Sequence, residues 1–191
     1  MKPRSDAHPL LVSALRNLWM LSAYVPADRL QIEFLNNARN AQKYPENDDL
    51  APANVPLEYT SALTLPAQPL AWMELSGLSH YGTLKTQLAA YQKVKSDFHR
   101  NTVLPVGGEP SGSSWTGFAV YGKDAPKYLM VFREKALENE MQLSLPLWPP
   151  GASLTPVFGG DISVETKTEG GRTALIFKGN VPFSHGLFII E

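Results

Sequence analysis

The sequence predicts two textures in one chain: α/β strand–helix units over residues 1–98, then an all-β antiparallel sandwich over residues 99–191. Three observations carry this. A helical stripe of apolar residues runs from Thr83 to Phe98, with apolar runs of strand length ahead of it. After His99, short strand-like runs follow one another, punctuated by Gly and Pro. Gly170 and Gly171 are adjacent between two such runs, and glycine accepts the positive φ angles of a two-residue hairpin turn.

The elements follow in order. Lys2 and Arg4 precede an apolar stretch over 10–23 that superficially resembles a secretory signal. Arg16 and Asn17 interrupt it where a signal stays apolar, so the stretch is read as part of the fold. The run Leu18, Trp19, Met20, Leu21 reads as a short buried strand. Pro26 suits a first helical turn and Asp28 suits its positive pole. Leu30, Ile32, Phe34 and Leu35 then suggest a helix continuing towards Ala41, with Lys43 at its negative end. Residues 44–56 are rich in Pro, Asn and Asp and read as an extended loop. Residues 69–78 are apolar and aromatic, a buried strand. Leu84, Leu88, Tyr91, Val94 and Phe98 recur at three and four residues, which predicts a helix over 83–98.

The second texture holds eight strand runs, at 102–106, 115–121, 127–133, 141–147, 153–158, 162–168, 173–178 and 187–190. Met141, Leu143 and Leu145 alternate with Gln142 and Ser144, the pattern of a strand with one buried face. Residues 99–191 are therefore expected to close a core of their own. The first 98 residues offer only two strand–helix pairs, whose edges and faces need further partners.

Composition excludes several functions. The net charge is -1 with 18% charged residues, so no basic footprint points to nucleic acid or an anionic membrane. No run approaches the ~20 apolar residues of a membrane span, so the chain reads as soluble. There is no cysteine, hence no disulfide and no thiolate metal site. His8, His80, His99 and His185 lack metal-ligand spacing, and the glycine pairs do not open helices after strands. No metal and no cofactor is expected.

Among the carboxylates of the first half, Asp28 reads as a first-turn acid and Glu33 as solvated or ion-paired. Glu74 differs, lying two residues after Trp72 in an otherwise apolar strand. It suits bonding to sugar hydroxyls, or equally an ion pair. Trp19 and Trp72 offer faces for a sugar ring or fill a core. Trp115 and Trp148 read as core.

Several stretches carry a resemblance. Leu18 and Trp19, then residues 29–33 (RLQIE), then residues 69–76, resemble the last strands and intervening helix of the melibiase-type α-galactosidases, glycoside hydrolase family thirty-six and its outlying bacterial relatives. Residues 104–110 (LPVGGEP) with 114–118 (SWTGF) resemble the start of those enzymes' C-terminal sandwich, and 128–134 (YLMVFRE) the strand that follows. The resemblance implies that residues 1–98 are the closing units of a (β/α)8 TIM barrel and that the parent protein is a retaining hydrolase of terminal α-galactosides. In such a hydrolase one carboxylate attacks the anomeric carbon and a second serves as acid and base. It places the nucleophile upstream, in a barrel portion that this chain would need as its partner. The acid/base position falls on Ser22, whose hydroxyl is no substitute for a carboxyl acid. Trp19, Trp72 and Glu74 would then line the sugar site at the strand ends, where barrel chemistry is done. The alternative is a non-catalytic carbohydrate-binding or structural β-sandwich module; galactosyl transfer shares the hydrolase's covalent intermediate.

Overall fold

A computed structural model describes residues 10–33, 44–45, 47–70 and 82–191. In chain order the elements are α1 (Leu10–Ser22), β1 (Gln31–Glu33), α2 (Leu57–Ala62), β2 (Gln68–Leu70), α3 (Gly82–Arg100), β3 (Thr102–Gly107), β4 (Trp115–Tyr121), β5 (Pro126–Arg133), β6 (Glu140–Leu143), β7 (Leu154–Phe158), β8 (Ser163–Glu169), β9 (Arg172–Lys178) and β10 (Ser184–Ile190).

The first elements differ from expectation. Leu18 to Leu21 belong to helix α1, in which Leu11, Leu15, Leu18 and Ser22 are buried three and four residues apart. A four-residue apolar run is too short to report its own period, and the flanking leucines decide it. Pro26 and Asp28 lead into one 3-10 turn, Ala27–Arg29, rather than a long helix. Leu30 is then extended and β1 follows, pairing parallel to β2 with Gln31 opposite Gln68 and Glu33 opposite Leu70. The expected helix beyond Glu33 and the strand beyond Leu70 fall outside the described residues.

From residue 82 onward the periodicities hold. Helix α3 buries Leu84, Gln87, Tyr91, Val94 and Phe98 along one stripe. Strands β3, β4, β5, β10 and β7 form a five-stranded sheet in that order, and β6, β9 and β8 a three-stranded one. Every ladder within these two sheets is antiparallel. Glu169 pairs with Arg172, and Gly170 and Gly171 between them have φ of 56° and 77°, so the hairpin turn is of the two-residue kind with both residues left-handed.

The five-stranded sheet is the centre of the molecule, and alternate residues of its strands enter different cores. Phe118, Val120, Tyr128, Met130, Phe132 and Leu187 face the helices, packing with Leu15, Leu63, Tyr91 and Phe98. Trp115, Ala119, Leu129, Val131 and Phe188 face the three-stranded sheet, packing with Leu175 and Phe177. Each fully buried large apolar side chain contributes about 1.5–3 kcal/mol, so neither face can be left bare. Gly117 permits the close β4–β5 approach: a Cβ there would lie 2.2 Å from the Met130 carbonyl oxygen.

This layering corrects the predicted fold class. Among the described residues there are ten strands in three sheets and three α-helices, with no closed barrel and no end of a (β/α)8 barrel set before a separate sandwich. The parallel ladder is confined to β1 and β2, while the helices cover the antiparallel sheet. No helix among the described residues is long and apolar enough to cross a membrane.

Polar ties fix the helical layer to the sheet. The Trp19 indole N–H on α1 donates to the Val106 carbonyl on β3 at 3.1 Å. Asp97 on α3 accepts from the Tyr128 hydroxyl at 2.9 Å and pairs with Lys127, both on β5. Gln87 on α3 meets His185 on β10.

Candidate functional site

The three resemblance-bearing stretches of the second half converge on one structural centre. Strand β3 carries Pro105 and Val106 opposite Phe118 and Gly117 of β4. At the far end of β5, Glu134 is 2% exposed, and one carboxylate oxygen accepts from the backbone N–H groups of Ser111, Gly112 and Ser114, each at 2.9 Å. Burial pushes this carboxyl up, and the three N–H donors oppose that shift. The adjacent Arg133 guanidinium lies 5.9 Å from the Trp115 ring centroid and donates to the Ala136 carbonyl and the Asn139 side chain. Trp115 in turn donates to the Glu138 carbonyl at 2.9 Å. These residues shape a loop and a strand end, and most of their polar groups bond to the chain itself, while Arg133 Nη1 is buried without a hydrogen-bond partner among the described residues.

The residues nominated from sequence divide in two. Ser22 is 7% exposed, and its hydroxyl donates to the Trp19 carbonyl at 2.9 Å, a local bond in the last turn of α1. Trp19 is partly buried against the helix-side core with its N–H tied to β3, so it anchors α1 to the sheet. Ser22 borders a groove of about 590 Å³ shared with Asp28, Arg29, His99 and Arg100. His99 is occupied there by Tyr91, at 2.7 Å, and the Leu65 carbonyl, at 3.1 Å. Trp72 and Glu74 lie outside the described residues.

The more developed site is a cleft of about 540 Å³ where the start of α3 and α2 face the ends of β7 and β10. Its walls include Glu58, Thr83, Thr86, Phe158, Asp161 and His185. His185 lies on the same face of β10 as Leu187 and Ile189, which with the preceding Phe183 pack into the helix-side core. Its ring lies between Tyr59 and Phe158, each with centroids 6.0 Å away. The backbone around it is unusual: Phe183 has φ 59°, and Gly159 has φ 88° with its missing Cβ 2.2 Å from the His185 carbonyl oxygen. Only glycine fits there.

Hydrogen bonding fixes the tautomer of His185. Gln87 Nε2 donates to the Glu58 backbone carbonyl at 3.0 Å, and a carbonyl only accepts, so the amide oxygen points to the histidine. His185 Nε2, 2.7 Å from that oxygen, must carry the proton. Nδ1 is then a lone-pair acceptor, buried and without a hydrogen-bond partner among the described residues. Burial pulls the imidazole down to about 4, only partly opposed by the neighbouring Phe183 carbonyl, so the ring is neutral at pH 7. Nearby, the Glu58 carboxylate accepts from the Thr83 hydroxyl.

The sequence pattern assigns no site role to His185, Gln87 or Glu134. The signal for His185 was present, since it occupies an inward position of an alternating strand between Phe183 and Leu187. Among the described residues no group of three or more acidic or histidine side chains is gathered to hold a metal ion. Comparison with family models, with curated proteins and with solved structures finds no match for this chain.

Proposed function

We propose that this chain is a non-catalytic, β-rich portion of a glycoside hydrolase resembling the α-galactosidases, whose substrates are terminal α-galactosides and whose catalytic carboxylates lie outside the described residues. The observation that carries the reading is Ser22. At the position where the resemblance calls for a carboxyl acid, a buried hydroxyl is bonded to its own helix. The sequence resemblance supports the hydrolase part: Pro105 to Gly107, Ser114 to Phe118 and Tyr128 to Glu134 are brought together around β3, β4 and β5, so they act as a unit of architecture. A retaining site needs two carboxyl groups about 5–5.5 Å apart on rigid supports.

The test is an assay of the protein in its natural full-length form against matched aryl α-galactoside, β-galactoside and α-glucoside. Selective release from the α-galactoside with retention of configuration is expected. No release, or selectivity for another sugar, contradicts the reading. A carbohydrate-binding module without hydrolysis is the second reading, favoured by the cleft at the start of α3, where Glu58 and Asp161 share a partly apolar wall with Phe158 and Phe183.

A further inference from the structure

We propose that the end of α1 and the groove beside it form a docking surface for a segment of a partner protein that carries apolar side chains flanked by carboxylates. The inference is independent of the hydrolase reading.

A cluster of exposed apolar side chains sets the requirement. Among the described residues six large hydrophobic side chains are exposed, and Met20, Leu21 and Tyr24 are three of them. The other three, Leu137, Leu147 and Val181, stand far apart in the chain. Single exposed hydrophobics are ordinary, whereas a group of them marks a contact surface. Helix α1 already fills its core face with Leu11, Leu15 and Leu18, so packing within the chain does not call for these residues. Tyr24 is 86% exposed.

The backbone under this patch is fixed. The Leu21 carbonyl accepts from the N–H groups of both Tyr24 and Val25 at 2.9 Å, which closes the helix beside the exposed side chains. Just before it, the Ser22 hydroxyl bonds the Trp19 carbonyl, and the Trp19 indole is tied to β3. An aromatic side chain on a held backbone loses little freedom when a partner covers it, which suits an interface anchor.

The groove of about 590 Å³ beside Tyr24 specifies the partner's charge. Tyr24, Arg29 and Arg100 all line it and are all exposed. Neither arginine forms an ion pair among the described residues. The negative pole of α3 suits Arg100, but Arg29 ends a 3-10 turn of three residues, which has no such pole. Asp28 is the one carboxylate among the lining residues, and His99 is held towards its neutral form by burial. Two cations thus face one acid, on a chain whose net charge is -1.

Carboxylates set beside apolar side chains complement both features at once. A two-fold contact with a second copy would set the same arginines against each other. A bilayer is flat and would leave the groove unfilled, whereas a side chain projecting from a peptide segment enters it.

The experiment is selection of a random-peptide display library on the full 191-residue chain, then fluorescence anisotropy of the enriched peptides. Enriched sequences are expected to combine leucine or aromatic residues with aspartate or glutamate. Tyr24→Ser is expected to weaken their binding at least about tenfold, and Arg29→Glu combined with Arg100→Glu by a similar factor. All three positions are exposed, so the circular dichroism of these variants is expected to match the parent chain. No enrichment, enriched peptides without carboxylates, or peptides that bind the variants as tightly overturns the proposal. A dimer in sedimentation velocity that Tyr24→Ser dissociates would assign the surface to a second copy and overturn it as well. So would cosedimentation with phosphatidylcholine–phosphatidylserine vesicles that Tyr24→Ser abolishes, which would assign the surface to a bilayer.

Discussion

The amide oxygen of Gln87 on α3 lies 2.7 Å from Nε2 of His185 on β10, joining residues 98 positions apart across the helix–sheet interface. Both side chains are buried, at 6% and 7% exposure; the bond decides the tautomer of the histidine, and burial keeps it neutral. Burial of this ring between the helical layer and the sheet thus couples packing to protonation.

That coupling predicts acid sensitivity. His185 titrates near 6.5 when unfolded and near 4 when folded. Between those values the unfolded chain holds a proton that the folded chain lacks. Stability is therefore complete above about pH 6.5, falls as pH drops, and levels off below about 4, with a loss on the order of 3 kcal/mol. His99 is also pulled down by burial, and Glu134 is pushed up, so the whole-protein curve is a composite. Subtracting the urea-unfolding curve of His185→Gln isolates the residue, and the difference is expected to carry the slope between pH 4 and 6.5. Parallel curves would show that His185 does not titrate differently on folding.

Glu134→Ala removes the acceptor for three loop N–H groups at once. Each unsatisfied buried donor costs about 1–3 kcal/mol, and water entering the loop recovers part of it. A net destabilisation of roughly 3 kcal/mol is expected, with faster amide exchange at Ser111, Gly112 and Ser114. Exchange unchanged at those three amides would mean that the loop is held by other contacts.

A fragment of residues 99–191 would keep the sheet-to-sheet core around Leu129, Val131 and Phe177 and lose the cover over Phe118, Val120, Met130 and Phe132. It is expected to show β-type circular dichroism without a cooperative thermal transition, and to bind hydrophobic dyes. A sharp, reversible transition would show that the helical layer is dispensable for the fold.

Much of this architecture was legible where an element carries its own period. Helix α3 spans 19 residues, long enough for five apolar positions to declare a stripe, and the Gly170–Gly171 turn needs only two residues to declare itself. Helix α1 was misread because Leu18 to Leu21 are continuously apolar and a short continuous run fits a strand as well. The layering was written more faintly. Strand β4 is buried at six of its seven residues, and β5 at seven of eight, which marks a sheet covered on both faces instead of an outer sandwich sheet. For the site, the inward position of His185 was readable from its neighbours on β10. Its pairing with Gln87 was not, because nothing local to either residue specifies a contact across 98 positions.

The central claim is that this chain contributes structure while the hydrolytic carboxylates lie elsewhere. Its most direct measurement is an assay of the purified 191-residue chain with an activated aryl α-galactoside, whose good leaving group lessens the need for acid catalysis. Release indistinguishable from the blank is the predicted result. Turnover above the blank that disappears in Glu58→Gln or Asp161→Asn, with the fold intact, would place a working site in this chain and contradict the account.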